Sequence, residues 1–295
     1  MSPTQLKAWV KNTSKSIGIP ADLVMRNYMM GKLLEKIADS PYSQNFVVKG
    51  GFLLGSMLGI ENRATMDLDT TLRKMSGEKE KLLSVLEEII QDPTPEGIVF
   101  KIKGDIQETR EAANYPGFRV HLIAQLENMP IDLKMDITTG DTIYPAPLDL
   151  KHKLMFENKA VDMLAYPPEQ ILAEKIHAAL YLEETNTRAR DFYDIYALTE
   201  MNLIDPIVLA DAMEQTFSSR GMHDSLESYI DDFWPVIRDS PRLKATWNRY
   251  MNASTNPYAK NLPFEEVMKA GTTLLNQVKE AEREKNREEE MGLDD

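Results

Sequence analysis

The stretch Lys49–Asp69, KGGFLLGSMLGIENRATMDLD, constrains this chain more than any other. An apolar run, FVVK, stops at two adjacent glycines, an apolar segment of helical composition follows, and the stretch ends on Asp67-Leu68-Asp69. A buried strand that turns through glycine into a helix lets backbone amides approach an anion closely, and the helix N-terminus adds partial positive charge. In ATMDLDTTL the alternation of polarity predicts a strand with Asp67 and Asp69 on one face and Met66 and Leu68 on the other. Carboxylates at i and i+2 on a strand lie about 7 Å apart at the backbone, near enough for their side chains to converge on divalent cations. Magnesium favours such a set, with substrate phosphates completing its octahedron. The later strand MPIDLKMDITTGD carries Asp132, Lys134 and Asp136 on one face, opposite Ile131, Leu133, Met135 and Ile137. A carboxylate from it would complete a two-metal site for in-line phosphoryl or nucleotidyl displacement. Taken singly, a DxD is most often a solvated strand face and a glycine pair a turn; their order along the chain carries the information. Ser56 lies deeper in the helix and is a weaker phosphate candidate.

The rest of the chain reads as α+β. Residues 4–38 look helical, FVVKGG is a short strand, and a helix covers LLSVLEEIIQ. GIVFKIKGDIQE, FRVHLIAQLEN and MPIDLKMDITTGD look extended. From Tyr166 onward PPEQILAEKIHAALYLEE, RARDFYDIYALTE, PIVLADAMEQTF, LESYIDDFWPVI and FEEVMKAGTTLLNQVKEAEREK are helical. The expected organisation is therefore a part of mixed helix and strand over residues 1–160, followed by an all-helical domain over residues 161–295. The acidic end EAEREKNREEEMGLDD reads as a solvated helix end or frayed tail.

A formal net charge of -13 argues against binding nucleic acid by bulk attraction, because nonspecific binding neutralises phosphates with Lys and Arg. A nucleic-acid acceptor then needs a local basic surface, for which Lys151, His152, Lys153, Arg188, Arg190, Arg242, Lys244 and Arg249 are candidates, each more often a solvated charge. The chain contains no cysteine, which removes disulfides, thiolate zinc sites and a cysteine nucleophile. His177 has no His or Cys partner at metal spacing and reads as an ordinary partly buried histidine. No run of about 18 apolar residues suggests a membrane span, and the start has no export signal. The expectation is a cytoplasmic monomer that avoids the membrane.

With these motifs in order, the sequence resembles the nucleotidyltransferase fold of the DNA polymerase β superfamily, which implies an α+β fold with a mixed sheet flanked by helices, followed here by an α-helical C-terminal domain. More narrowly, Lys49–Asp69 followed by IDLKMDITTGD, AEKIHAAL and RARDFYDIYAL resembles the AbiEii/AbiGii toxin family, the toxin half of bacterial abortive-infection toxin–antitoxin systems. The resemblance spans residues 47–198. It implies a phosphate-binding turn at Gly50 and Gly51 and magnesium or manganese ligation by Asp67 and Asp69, with support from Arg63 in R-x-T-x-D-L-D. Asp136 is the chosen third carboxylate, with Asp132 in reserve. It further implies that Lys175 meets triphosphate oxygens and that Asp191 and Asp194 form the later acidic motif, brought to the same cleft. Without the resemblance, Lys175 is a lysine snorkelling beside the stripe of Ile171, Leu172, Ile176, Ala179 and Leu180. One departure is Phe52 after the glycine pair, where the superfamily often has serine after the first glycine. The implied activity is transfer of a nucleotide from an NTP, GTP being one option, to an RNA acceptor such as the tRNA 3′ end. A cognate antitoxin is also implied, with direct contact left open. A same-fold enzyme modifying a protein or small molecule and a noncatalytic nucleotide-binding protein are the competing readings.

Overall fold

The computed structural model describes residues 2–109 and 116–292. The chain forms two units, the first comprising residues up to Asp141 together with Pro147–Tyr166, the second Thr142–Ala146 and the residues from Pro167.

The first unit opens with helix α1 (Pro3–Ile17), whose Ser2 and Gln5 close a capping box and which ends at Gly18 with φ 73°. Helix α2 (Ala21–Ala38) follows Pro20. The residues read as helical over 4–38 form two helices, because a left-handed glycine and a proline stand between them. Among the described residues no side chain caps α2. Its position is set by burial on all sides of residues such as Leu23, Met29, Leu33 and Ile37, at about 1.5–3 kcal/mol for each large apolar side chain against about 1 kcal/mol for a cap. Then come β1 (Phe46–Lys49), α3 (Gly50–Leu58), β2 (Asp67–Leu72), α4 (Lys79–Ile90), β3 (Ile98–Ile102), β4 (Gln107–Glu108), β5 (Gly117–Leu126), β6 (Met129–Thr139), β7 (Leu148–Lys153) and β8 (Ala160–Ala165). They build one mixed sheet in the order β3-β5-β6-β2-β1-β8-β7, with β4 paired to β5. The parallel pairs are β2–β6 and β1–β8; the others are antiparallel.

Strands β7 and β8 are absent from the sequence reading, and β8 runs through residue 160, where the domain boundary was expected. Asp149, Lys151 and Lys153 alternate on the edge strand β7 and make it look like polar surface. A buried ion cluster fastens this hairpin to the helices: Lys32 on α2 contacts Glu35 at 2.5 Å, Glu96 at 2.8 Å and Glu157 at 3.1 Å, while Lys159 also reaches Glu35.

The second unit contains α5 (Pro168–Leu182), α6 (Ala189–Glu200), α7 (Pro206–Ser219), α8 (Leu226–Arg238), α9 (Pro241–Met251) and α10 (Phe264–Gly292). Helix α9, unread in the sequence, starts on Ser240 and Pro241 and buries only Leu243 and Trp247, too little for a clear apolar stripe. The acidic end is a packed part of α10 and not a frayed tail as far as Lys285. Glu282 is buried and accepts from the backbone nitrogens of Leu226 and Glu227, capping α8, and Lys285 pairs with Asp211 and Glu214. Residues 293–295 lie outside the described residues. Among the described residues no helix is long and apolar enough to cross a membrane.

Candidate active site

The parallel register of β2 and β6 sets Asp67 opposite Lys134 and Asp69 opposite Asp136. Lys49 of β1 is the register partner of Asp69, and Arg119 of β5 that of Asp136. Lys49, Asp69, Asp136 and Arg119 therefore form one row across four adjacent strands, about 4.8 Å apart. The alternate residues Leu68 and Met135 are fully buried on the other face. Asp132 lies four residues further back on β6, exposed and paired with Lys103 at 2.8 Å, so register favours Asp136 over the reserve.

The charges in this patch are interlocked. Lys134 Nζ lies 2.9 Å from Asp67 Oδ2 and 3.3 Å from Asp136 Oδ2. Arg119 donates to both oxygens of Asp136, at 2.8 and 3.1 Å. Burial pushes the Asp69 carboxyl above the usual carboxylate range, and the neighbouring charges of Asp136 and Asp67 push the same way. Burial would raise Asp136 too, yet the Arg119 hydrogen bonds and the Lys134 charge hold it below that range. Asp136 is thereby a poor proton acceptor and a good fixed anion. The three aspartates do not converge as tightly as three carboxylates elsewhere. Among the described residues it is Glu35, Glu96 and Glu157 whose oxygens come within 4.8 Å of one another, and Lys32 already bridges them. The aspartate set suits a hard divalent cation in its chemistry, being oxygen-only, with Asp69 pushed up by burial and by two neighbouring carboxylates that a cation would offset.

The glycine turn adjoins this row. Gly50 has φ 66°, and a Cβ there would lie 2.8 Å from Asp69 Cγ. A Cβ on Gly51 would lie 2.7 Å from Thr65 Oγ1 and 3.0 Å from the Arg63 guanidinium nitrogens. Arg63 is 2% exposed and donates to the Ala64 carbonyl at 2.7 Å, so it lies beneath the turn and not on a surface open to nucleotide. Asn27 of α2 holds the same segment by donating to the Thr65 carbonyl at 2.8 Å. Ser56 is engaged with the Phe52 carbonyl and with His152 Nδ1.

Sequence reasoning missed the support behind the row. Lys49 Nζ contacts Asp141 at 2.6 Å and lies 5.0 Å above the Tyr166 ring. Thr71, Thr138 and Asp141 join Tyr166 in one hydrogen-bonded group. Arg119 was missed as well. Only its register with Asp136 marks it, and register is not written in a single strand.

In the second unit, Lys175 lies between Asp191 at 2.8 Å and Asp194 at 2.6 Å, and Asp194 is fully buried. His177 is buried, its Nδ1 lies 3.1 Å from an Arg220 guanidinium nitrogen, and burial drives its pKa down to about 4, with Arg220 adding to the shift. The basic candidates divide. His152 is buried, and burial alone lowers it to about 4, so it is neutral and must be removed from the basic set. Lys151 pairs with Asp162 and Lys244 with Glu265, while Lys153, Arg188, Arg190, Arg242 and Arg249 are exposed.

A mixed sheet flanked by helices, followed by a helical region, matches the expected fold class. The chain belongs to the family described as nucleotidyl transferase AbiEii toxin, type IV toxin–antitoxin system, which it matches over residues 32–270. It is similar to the crystal structure of JHP933 from Helicobacter pylori, at 18% identity and TM-score 0.47, over 92% of this chain and 99% of that one. It is also similar to an H. pylori chain described as a candidate nucleotidyltransferase, at 18% identity and TM-score 0.45, over 86% and 94% of the two chains. A comparison with curated proteins gave no match.

Proposed function

We propose that this toxin-family chain is a divalent-metal-dependent enzyme that transfers a nucleotide from an NTP to an RNA 3′ end, with tRNA as acceptor. Loss of usable tRNA would arrest translation and growth, the outcome expected of abortive phage infection. The observation that carries the reading is the register of Asp69 with Asp136 on adjacent parallel strands, with Asp67 joined to Asp136 through Lys134, beside the Gly50 turn. Asp67, Asp69 and Asp136 would hold magnesium or manganese, which when bound supplies Lewis-acid stabilisation of phosphoryl oxygens. The amides following Gly50 receive the triphosphate, and Arg63 keeps that turn in shape from beneath. Asp136, held anionic by Arg119, positions the attacking 3′-hydroxyl in line with the α-phosphate. Lys175, fixed between Asp191 and Asp194, carries the family's triphosphate-lysine assignment by resemblance alone. The protein is read as a cytoplasmic monomer, and GTP is the first nucleotide to try.

The formal charge of -13 favours one competitor, a same-fold transferase acting on a protein or small molecule. Incubation with each α-labelled NTP, magnesium and total cell RNA, followed by separation of RNA from protein, decides between them. Label in tRNA supports the proposal. Label in protein or a small product moves the assignment to the competitor, and transfer that persists in EDTA removes the metal.

A further inference from the structure

We propose that Lys134 is a resident counter-cation of the aspartate site, competing with a divalent ion for Asp67 and Asp136 and so biasing the site towards a metal already complexed by triphosphate. The inference rests on the metal-dependent reading above and extends it to a residue that the motif set does not include.

The geometry is specific. Lys134 lies on the same strand as Asp136 and opposite Asp67, so its ammonium bridges carboxylates from both parallel strands, 2.9 and 3.3 Å away. An i, i+2 spacing on β6 keeps Lys134 and Asp136 on one face, and the parallel register brings Asp67 to that face from β2. Arg119 clamps Asp136 from the other side, so two cations already hold Asp67 and Asp136 before any metal arrives. A free divalent ion entering this patch meets an ammonium on the oxygens it needs and a second positive charge nearby. A metal–triphosphate complex carries net negative charge, so Lys134 attracts the complex while repelling the free ion. Freed from Asp67 and Asp136, its three-donor ammonium remains beside the site as a phosphate contact. Lys134 is thus a positioning residue, holding the two strands' carboxylates in place before loading and selecting the form in which metal arrives.

The test is binding of Mn2+ to the full chain by electron paramagnetic resonance, alone and with the non-hydrolysable analogue α,β-methylene GTP, without reference to turnover. In the wild type, Mn2+ alone should bind weakly, and the analogue should tighten it about tenfold or more, the scale of one charge removed at this distance. Lys134→Gln should bind free Mn2+ about tenfold tighter than the wild type and lose most of the gain from the analogue. Lys134→Arg, which keeps the charge, should behave as the wild type. Asp69→Asn should weaken Mn2+ in every background. If Lys134→Gln leaves free Mn2+ affinity unchanged while Asp69→Asn still weakens it, the role of Lys134 is refuted and the metal site stands. Insensitivity to Asp69→Asn overturns both. Should Lys134→Gln not fold, the wild-type comparison alone decides, since equal Mn2+ affinity with and without the analogue contradicts the proposal.

Discussion

Asp69 and Asp136 are register partners one strand apart, yet the fold treats their charges in opposite ways. Burial and two like charges raise Asp69, so its ionised form costs stability in the metal-free chain. That cost is absent well below the carboxyl's unfolded value of 3.8 and grows as pH rises through the raised folded value. Asp136 is lowered against its own burial by Arg119 and Lys134, so its stabilisation is present above 3.8 and lost as pH falls through the lowered value. Asp69→Asn should accordingly raise the melting temperature in EDTA at neutral pH. Asp136→Asn should lower it, and both should abolish transfer; differential scanning calorimetry in EDTA checks the signs. Gly50→Ala combines left-handed backbone strain of about 1–2 kcal/mol with a clash against the Asp69 carboxylate. Transfer should fall at least tenfold even in protein that remains folded by circular dichroism. The glycine pair and three aspartates were legible because their chemistry is local: a turn needing glycine and carboxylates at strand spacing. Lys49, Arg119 and the bridging contacts of Lys134 were not, since each depends on which strand lies beside which.

At the level of elements, legibility followed the strength of the apolar pattern. Helices α3, α4 and α5 and strands β2, β5 and β6 bury one continuous face or stripe and could be read directly. The β7–β8 hairpin and α9 bury too little for that, and the hairpin depends on charge for its attachment. Lys32 is fully buried among Glu35, Glu96 and Glu157, which come from α2, the loop before β3 and the hairpin turn. Removing one partner of such a cluster leaves uncompensated buried charge at a cost of about 3–5 kcal/mol. Lys32→Met should therefore lower stability on that scale in urea titration and expose the hairpin to proteolysis. Burial works against the charge of Glu35 and Glu96, but their lysine hydrogen bonds prevail and both lie below 4.5. The stability they contribute is complete above pH 4.5 and is lost as pH falls through their lowered values, so acid should loosen the hairpin first. Unchanged proteolysis of the hairpin in Lys32→Met would show that apolar packing alone secures it.

Over the whole molecule, the charge of -13 and the neutrality of His152 leave few basic side chains for docking RNA. An acceptor recognised mainly by its 3′ end should give a shallow salt dependence, with log affinity against log salt no steeper than about -3, corresponding to roughly four phosphates for single-stranded contacts. A steeper slope in filter binding would require a larger basic surface than these side chains provide. The change in pattern falls near Tyr166, whereas nothing in the sequence marks the exchange of residues 142–146 into the helical unit; Tyr144 is tied there by hydrogen bonds with Gln170 and Asp211. The central claim is that oxygen ligands on two neighbouring parallel strands carry nucleotidyl transfer. Its most direct test is incorporation of α-32P from NTP into purified tRNA by the wild type, Asp67→Ala and Asp136→Ala, each shown to be folded. The account predicts label in tRNA with the wild type and a loss of about a hundredfold or more in both variants. Undiminished labelling by either folded variant would contradict it.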